Sequence, residues 1–206
     1  MDVIVSIAVI AILVGLLLPT IAGVREATRK VVCSSNIRQV GIGLSAFANA
    51  HRDDLPLTNF AKSTPAESSP QQMTTLRLGE SVADWDGLGV LHHLEYLPGP
   101  GVYYCPSHVG EHPLRRYADR WASGDERLVG NYQYRGSYAV GQTLNLRRLA
   151  PHVGLAADGL ATATDYSHGV GANVLTADNS VFWFFDNGRV RDLLPKTQEE
   201  ANAAQR

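Results

Sequence analysis

Asp158, Asp165, His168, Asp178 and Asp186, all in the last third of the chain, are of the types that hold cations or move protons, and Ser167 stands beside His168. Loop carboxylates suit calcium, which takes about six to eight oxygen ligands. An imidazole beside a carboxylate suits acid–base work. The spacing argues for a quieter role. Asp178 and Asp186 each close a short apolar run, where an Asp side chain bonds the local backbone of a turn, and His168 then braces the hairpin that follows. Asp158, His168, Asp178 and Asp186 stand as the metal candidates, although no acidic loop has ligand spacing. Cys33 and Cys105, the two cysteines, permit one disulfide outside the cytoplasm, or else are two small buried side chains. Cys105-Pro106-Ser107-His108 with His112 falls short of four zinc ligands close in sequence. No nucleophile elbow or paired metal motif occurs, and 19 glycines without a G-x-x-x-x-G-K-[ST] run mark turns, not a nucleotide site. These residues predict no enzyme and no resident cofactor.

The elements that must position them begin with an apolar run. Residues 3–24 carry no charge, and residues 3–18 contain twelve Val, Ile or Leu. About 20 apolar residues match a hydrocarbon core of ~30 Å, and twelve such side chains contribute roughly −4 to −7 kcal/mol toward insertion. A membrane anchor that continues as a helix is the reading favoured over a cleaved signal or a buried soluble helix, because no basic residue precedes the run. Beyond it, Val24, Thr28, Val31, Ser35, Ile37, Val40, Leu44 and Phe47 fall near the three-and-four spacing of one helical face, with Arg25, Glu26, Arg29, Lys30, Asn36, Arg38 and Gln39 between them. A helix over residues 2–50 would be roughly 70 Å long. Arg25, Arg29 and Lys30 follow the anchor, which by the positive-inside tendency holds the remainder of the chain in the cytoplasm.

Three separated motifs carry a family resemblance. Asp2, the apolar run, Leu16-Leu17-Leu18-Pro19, and the stretch closing on Cys33-Ser34-Ser35-Asn36 resemble the N-terminal helix of type IV pilin-like proteins, in particular type II secretion pseudopilins. His168, nine intervening residues and Asp178-Asn179 are similar to the His-x9-Asp-Gly signature of a planctomycete-type pseudopilin-like group, with Asn179 in place of Gly. Tyr104-Cys105-Pro106-Ser107 resembles that group's mid-chain Cys-Pro-Ser.

The resemblance implies a structural subunit with no enzymatic activity, processed and N-terminally methylated like a prepilin after a basic leader ending in Gly. It implies a single pass in the inner membrane, a periplasmic or extracellular head, and assembly with other pilin-like subunits through secretion or pilus machinery. Asp2 would pair with a neighbour's N-terminal amine, and Pro19 would be the helix-kinking proline. Calcium near the C-terminus is also implied by the family. The head would face outward, against the charge placement. Asn at a left-handed turn position keeps the signature's turn feasible.

Composition bounds the remainder. A net charge of −2 supplies no polybasic field, so nucleic acid is excluded as a partner. The expected organisation is α+β: an assembly helix over residues 1–50, a head with a small antiparallel sheet over 51–194, and a polar tail over 195–206. In the head, residues 51–72 read as a loop, 88–97 as a short helix, 102–105 as a strand, and 111–131 as an irregular helix or insertion. Strands are expected over 132–140, 153–157, 173–176 and 181–185, the last two forming a hairpin. The alternative from another class is an envelope-anchored binding or hydrolytic module that never polymerises.

Overall fold

The computed structural model describes residues 2–59, 73–79, 84–123, 126–136, 142–159, 162–163 and 165–194. The side chains of Asp2, Leu17, Pro19, Thr20 and Ala22 lie outside the described residues, as does the tail over 195–206.

One helix, α1, runs unbroken over Asp2–Ala50, 49 residues. Apolar residues and good helix formers fill it, and its backbone stays helical through position 19. It ends where Arg52 and Asp53 turn left-handed (φ 60° and 67°) and the Asp53 amide bonds back to the Ala48 carbonyl at 2.8 Å. Only its second half is packed. Cys33, Ile37, Val40, Leu44, Phe47 and Ala48 are buried, a 4-3-4-3 repeat on one face. Burying Ile37, Val40 and Leu44 contributes roughly 1.5–3 kcal/mol each.

The face expected from the sequence is correct from Ile37 onward and rotated before it. Val24, Thr28, Val31 and Ser35 are exposed, while Glu26, Lys30 and Cys33 face the head. The step from Ser35 to Ile37 is two residues, which no helical face can absorb, so the eight positions span two different stripes.

The head places a four-stranded antiparallel sheet, order β3-β4-β5-β6, under that face. The strands are β3 (Tyr132–Tyr134), β4 (Gly154–Asp158), β5 (Gly171–Thr176) and β6 (Val181–Phe185). The hairpin expected from the runs on either side of Asp178-Asn179 is present as β5–β6, pairing Asn173 with Trp183 and Leu175 with Val181. A second, two-stranded sheet that the sequence did not reveal joins β1 (Thr75–Arg77) to β2 (Leu128–Val129). Two- and three-residue strands carry too little alternation to be read.

Helix α2 covers Gly89–His93 and stops earlier than expected, because Glu95 is left-handed (φ 60°). The strand expected over 102–105 is instead a 3-10 turn, Pro100–Tyr103, with proline at its start and the Tyr103 hydroxyl donating to the Leu97 carbonyl at 2.7 Å. Helix α3 (Leu114–Ser123) lies within the stretch expected to be an irregular helix or an insertion. A short helix, α4 (Arg189–Leu193), was missed. Most of the expected 51–72 loop, and positions 137–141, lie outside the described residues.

Candidate functional site

Two features bear on function: the uncovered half of α1 and a buried polar cluster where α1 meets the sheet. From residue 3 to residue 16 every described side chain of α1 is exposed, Ile4 to 72% and Leu16 to 67%. Val24, Val31 and Ile42 extend the exposed apolar surface toward the head. Ordinary soluble proteins do not leave such a contiguous surface bare. Among the described residues no helix is long and apolar enough to cross a membrane; the span expected over residues 3–24 includes Leu17, Pro19, Thr20 and Ala22, whose side chains lie outside the described residues. The assembly residues Asp2 and Pro19 fall outside the described side chains.

The cluster is built on one cross-strand row of the sheet. Tyr132 on β3 lies opposite Asp158 on β4, and Asn173 on β5 lies opposite Trp183 on β6. Asp158 and Asn173 join the two halves, since Asp158 Oδ2 accepts the Asn173 amide at 2.6 Å and its Nδ2 at 3.0 Å. Above the row, α1 presents Glu26, Lys30 and Cys33, spaced four and three apart and so on one face. Lys30 Nζ lies 4.3 Å over the Trp183 ring. Cys33 Sγ donates to Asp158 Oδ1 at 2.7 Å and lies 3.4 Å from the Tyr132 hydroxyl. The loop before β5 supplies His168. Its Nδ1 meets Glu26 Oε1 at 2.8 Å, while Nε2 lies 3.5 Å from Cys105 Sγ and 3.4 Å from Asp158 Oδ2. Ser107 donates to both oxygens of Glu26, at 3.0 and 2.9 Å.

Cys33, Cys105, Asp158 and His168 are all buried, and one donor atom from each lies within 4.8 Å of the others. Both cysteines are free and buried, so of the two alternatives the structure has the small buried side chains, brought close together and not joined.

Electrostatics sorts the protons. The contact with Cys33 and then the imidazole of His168 bring the Cys105 thiol down to about 6, against the opposing effect of burial. Cys33 moves the other way: its contact with Cys105, its burial and the adjacent Asp158 raise it. Burial pulls His168 down, but Cys105 and Glu26 outweigh it and raise the imidazole to about 9. Burial also raises Asp158. The two thiols therefore shift in opposite directions, Cys105 toward the thiolate beside the raised His168 imidazole and Cys33 toward the protonated form that donates to Asp158.

The remaining sequence candidates are elsewhere. Asp178 sits at the β5–β6 turn, accepting from Thr176 Oγ1 at 2.6 Å and the Ser180 amide at 3.0 Å. Asp186 accepts the amides of Val190 and Arg191 at 3.1 and 3.0 Å, at the start of α4. The four weak metal candidates thus separate into a buried pair and two turn residues, and the buried pair gathers thiols. Sulfur donors do not suit calcium, so this cluster is not the calcium site that the resemblance implied. Asp165 binds Thr162 Oγ1 at 2.9 Å and lies 3.8 Å from His108. His112 is held by the Tyr117 hydroxyl at 2.6 Å. Neither histidine joins Cys105 in a common ligand set.

The sequence left Cys33 and Cys105 either as a disulfide or as two small buried side chains, read His168 as a brace, and missed Glu26. The 26-30-33-37 spacing continues the phase of the buried stripe, but Glu26 and Lys30 are charged and so add no apolar signal to it.

The His168-to-Asn179 motif divides between two jobs. His168 enters the cluster, while Asn179, left-handed at φ 65°, donates from Nδ2 to Ser45 Oγ of α1 at 2.8 Å. Asn179→Ala is expected to destabilise the fold by about 1–2 kcal/mol, measured by chemical denaturation, since it loses this bond and puts alanine, which lacks the side-chain amide that eases a left-handed backbone, at positive φ. Asp178 is held down to about 2 from 3.8, chiefly by the Thr176 hydroxyl and the Ser180 amide. A depressed carboxyl stabilises above its unfolded value and loses that contribution as pH falls toward its folded one. Acidification from pH 4 to pH 2 is therefore expected to lower the protection of the Ser180 amide relative to its intrinsic exchange rate at each pH, and Asp178→Asn is expected to remove that pH-dependent loss of protection.

A family model described as "Protein of unknown function (DUF1559)" matches residues 23–96, from the middle of α1 through α2. No curated protein and no solved structure matches the chain. The match is compatible with a pilin-like chain at that coarse level, and it ends well short of Cys105, Asp158 and the His168-to-Asn179 motif.

Proposed function

We propose that the chain is a pseudopilin-like structural subunit, held in the inner membrane by the first half of α1 and assembled into a pilus or pseudopilus through that same surface. The observation that carries this reading is the division of α1. One half is packed on the head by Ile37, Val40 and Leu44, and the other leaves Val3, Ile4, Ile7, Ile10, Leu13 and Leu16 exposed. Those side chains need an apolar environment, and lipid and neighbouring helices are interchangeable sources of one, so extraction from the bilayer is offset by packing in a filament. Val24 and Val31, outside the head-facing stripe, offer contact surface for adjacent subunits. Phe182 and Phe184 on the edge strand β6 are also exposed. By the resemblance, Asp2 neutralises a neighbour's N-terminal amine, and the head selects what the type II secretion machinery meets.

The test is electron microscopy of sheared surface fractions from cells expressing the full reading frame, beside Asp2→Ala and a deletion of residues 3–24. Filaments containing this chain, lost or sharply reduced in both variants, support assembly. An intact chain that stays in the membrane with no polymer at any expression level overturns it. The non-polymerising binding module is favoured in that event by one observation, the buried cluster of Cys33, Cys105, Asp158 and His168.

A further inference from the structure

The buried cluster between α1 and the sheet is arranged as a ligand set. We propose that Cys33, Cys105, Asp158 and His168 bind one zinc ion, with Glu26 as the outer partner of His168. Four donors come from four separate segments: α1, the turn after the 3-10 helix, β4 and the loop before β5. Each is buried, and they converge within 4.8 Å. Two thiols, an imidazole and a carboxylate are zinc donors, and sulfur excludes calcium and magnesium.

The spacing fits. With bonds of about 2.0–2.3 Å, tetrahedral geometry separates nitrogen and oxygen ligands by about 3.4 Å, and sulfur from nitrogen or oxygen by about 3.6 Å. His168 Nε2 is 3.5 Å from Cys105 Sγ, near the sulfur–nitrogen separation, and 3.4 Å from Asp158 Oδ2, the oxygen that Asn173 holds, while Oδ1 is the oxygen that Cys33 meets. Cys33 Sγ and Asp158 Oδ1, 2.7 Å apart, hold a proton between them. Metal binding releases that proton, and the pair opens by about 0.9 Å to reach the tetrahedral separation.

The outer partners are in place as well. A metal-binding histidine donates its second nitrogen to a carboxylate or carbonyl, which fixes ring and tautomer. Glu26 does this for His168 Nδ1, and Ser107 holds Glu26 in turn. Asn173 orients Asp158 through two bonds, and Asn131 Oδ1 accepts the Cys105 amide at 3.2 Å. Two thiolates and a carboxylate against Zn²⁺ leave one net negative charge on the ligand set. The ion would pin the α1 segment around Cys33 to β4 and to the loop before β5, so it is a brace between assembly helix and head. This inference does not depend on polymerisation.

The full chain, purified in detergent under anaerobic conditions, is assayed for metal content and titrated with Zn²⁺ and Co²⁺. One zinc per chain, and a cobalt form with intense tetrahedral visible bands and thiolate charge transfer, are expected. Cys33→Ser, Asp158→Asn and His168→Gln are each expected to weaken binding at least tenfold, and Glu26→Gln by about 10- to 100-fold. His152→Gln, at an exposed position, is expected to bind as the unaltered chain does. Because a ligand variant can misfold, the cobalt spectrum of the unaltered chain is read on its own. The proposal is overturned by a folded, thiol-reduced chain that takes up neither ion. It is equally overturned by undiminished binding in all three ligand variants, or by a Cys33–Cys105 disulfide in chains alkylated directly in cells.

Discussion

Leu13→Arg is expected to reduce membrane partitioning and filament incorporation together, each by more than 100-fold. Leu13 is 55% exposed in the middle of the uncovered stretch of α1. At the centre of an inserted helix a leucine contributes roughly −0.5 kcal/mol and an arginine costs about 2.5–3.5 kcal/mol. The swing of about 3–4 kcal/mol corresponds to a factor of roughly 100–1,000. The head should be untouched, because Leu13 lies far along the helix from the buried stripe that begins at Cys33. Flotation on a density gradient reads partitioning, and immunoblotting of sheared fractions reads incorporation. Val31→Asp separates the two processes. Val31 is exposed beside the head, so this change is expected to spare flotation and lower incorporation. A Leu13→Arg chain that still floats and still shears off in polymers would contradict the proposed use of α1.

The second large effect lies in the head. Gly89→Ala is expected to destabilise the protein by about 3 kcal/mol or more, measured by chemical denaturation of the full chain in detergent. A β-carbon at position 89 would overlap the carbonyl oxygen and carbon of Leu76 on β1, both backbone atoms. Neither can rotate aside as a side chain can, so α2 and β1 must separate. That separation opens the packing of Leu76, Leu88 and Leu91, each at most 2% exposed. Overpacking a dense core costs about 1–3 kcal/mol and more where the backbone must move. Gly101→Ala, where an added β-carbon meets nothing within 4 Å, is the matched control and is expected to change stability by less than about 0.5 kcal/mol. Equal stability of the two variants would show that the β1–α2 contact is looser than the structure has it.

Glu26, Lys30 and Cys33 show where sequence reading ran out. The long helix was legible because 49 residues with repeated apolar spacing leave few alternatives, and the β5–β6 hairpin was legible because Asp178-Asn179 interrupts two β-rich runs. The phase of the buried stripe was not. Val31 and Ser35 fit a helical face as well as Lys30 and Cys33 do, and local periodicity cannot say which face meets a sheet whose first strand begins at Tyr132, 99 residues after Cys33. The 3-10 turn at Pro100–Tyr103 and the short strands β1 and β2 were hidden for a related reason. Their conformations are set by partners such as Asn131 and Leu128, not by their own two to four residues.

The sequence by itself determined the apolar character of the N-terminal run, the α+β order of elements and the hairpin turn, because each rests on neighbours within about ten positions. Only the tertiary structure decided that His168 belongs with Cys33, Cys105 and Asp158 and not with Asp178. Those donors are 63 to 135 residues from His168, or ten in the case of Asp158, and they meet because one row of a four-stranded sheet and one face of α1 share a single buried contact.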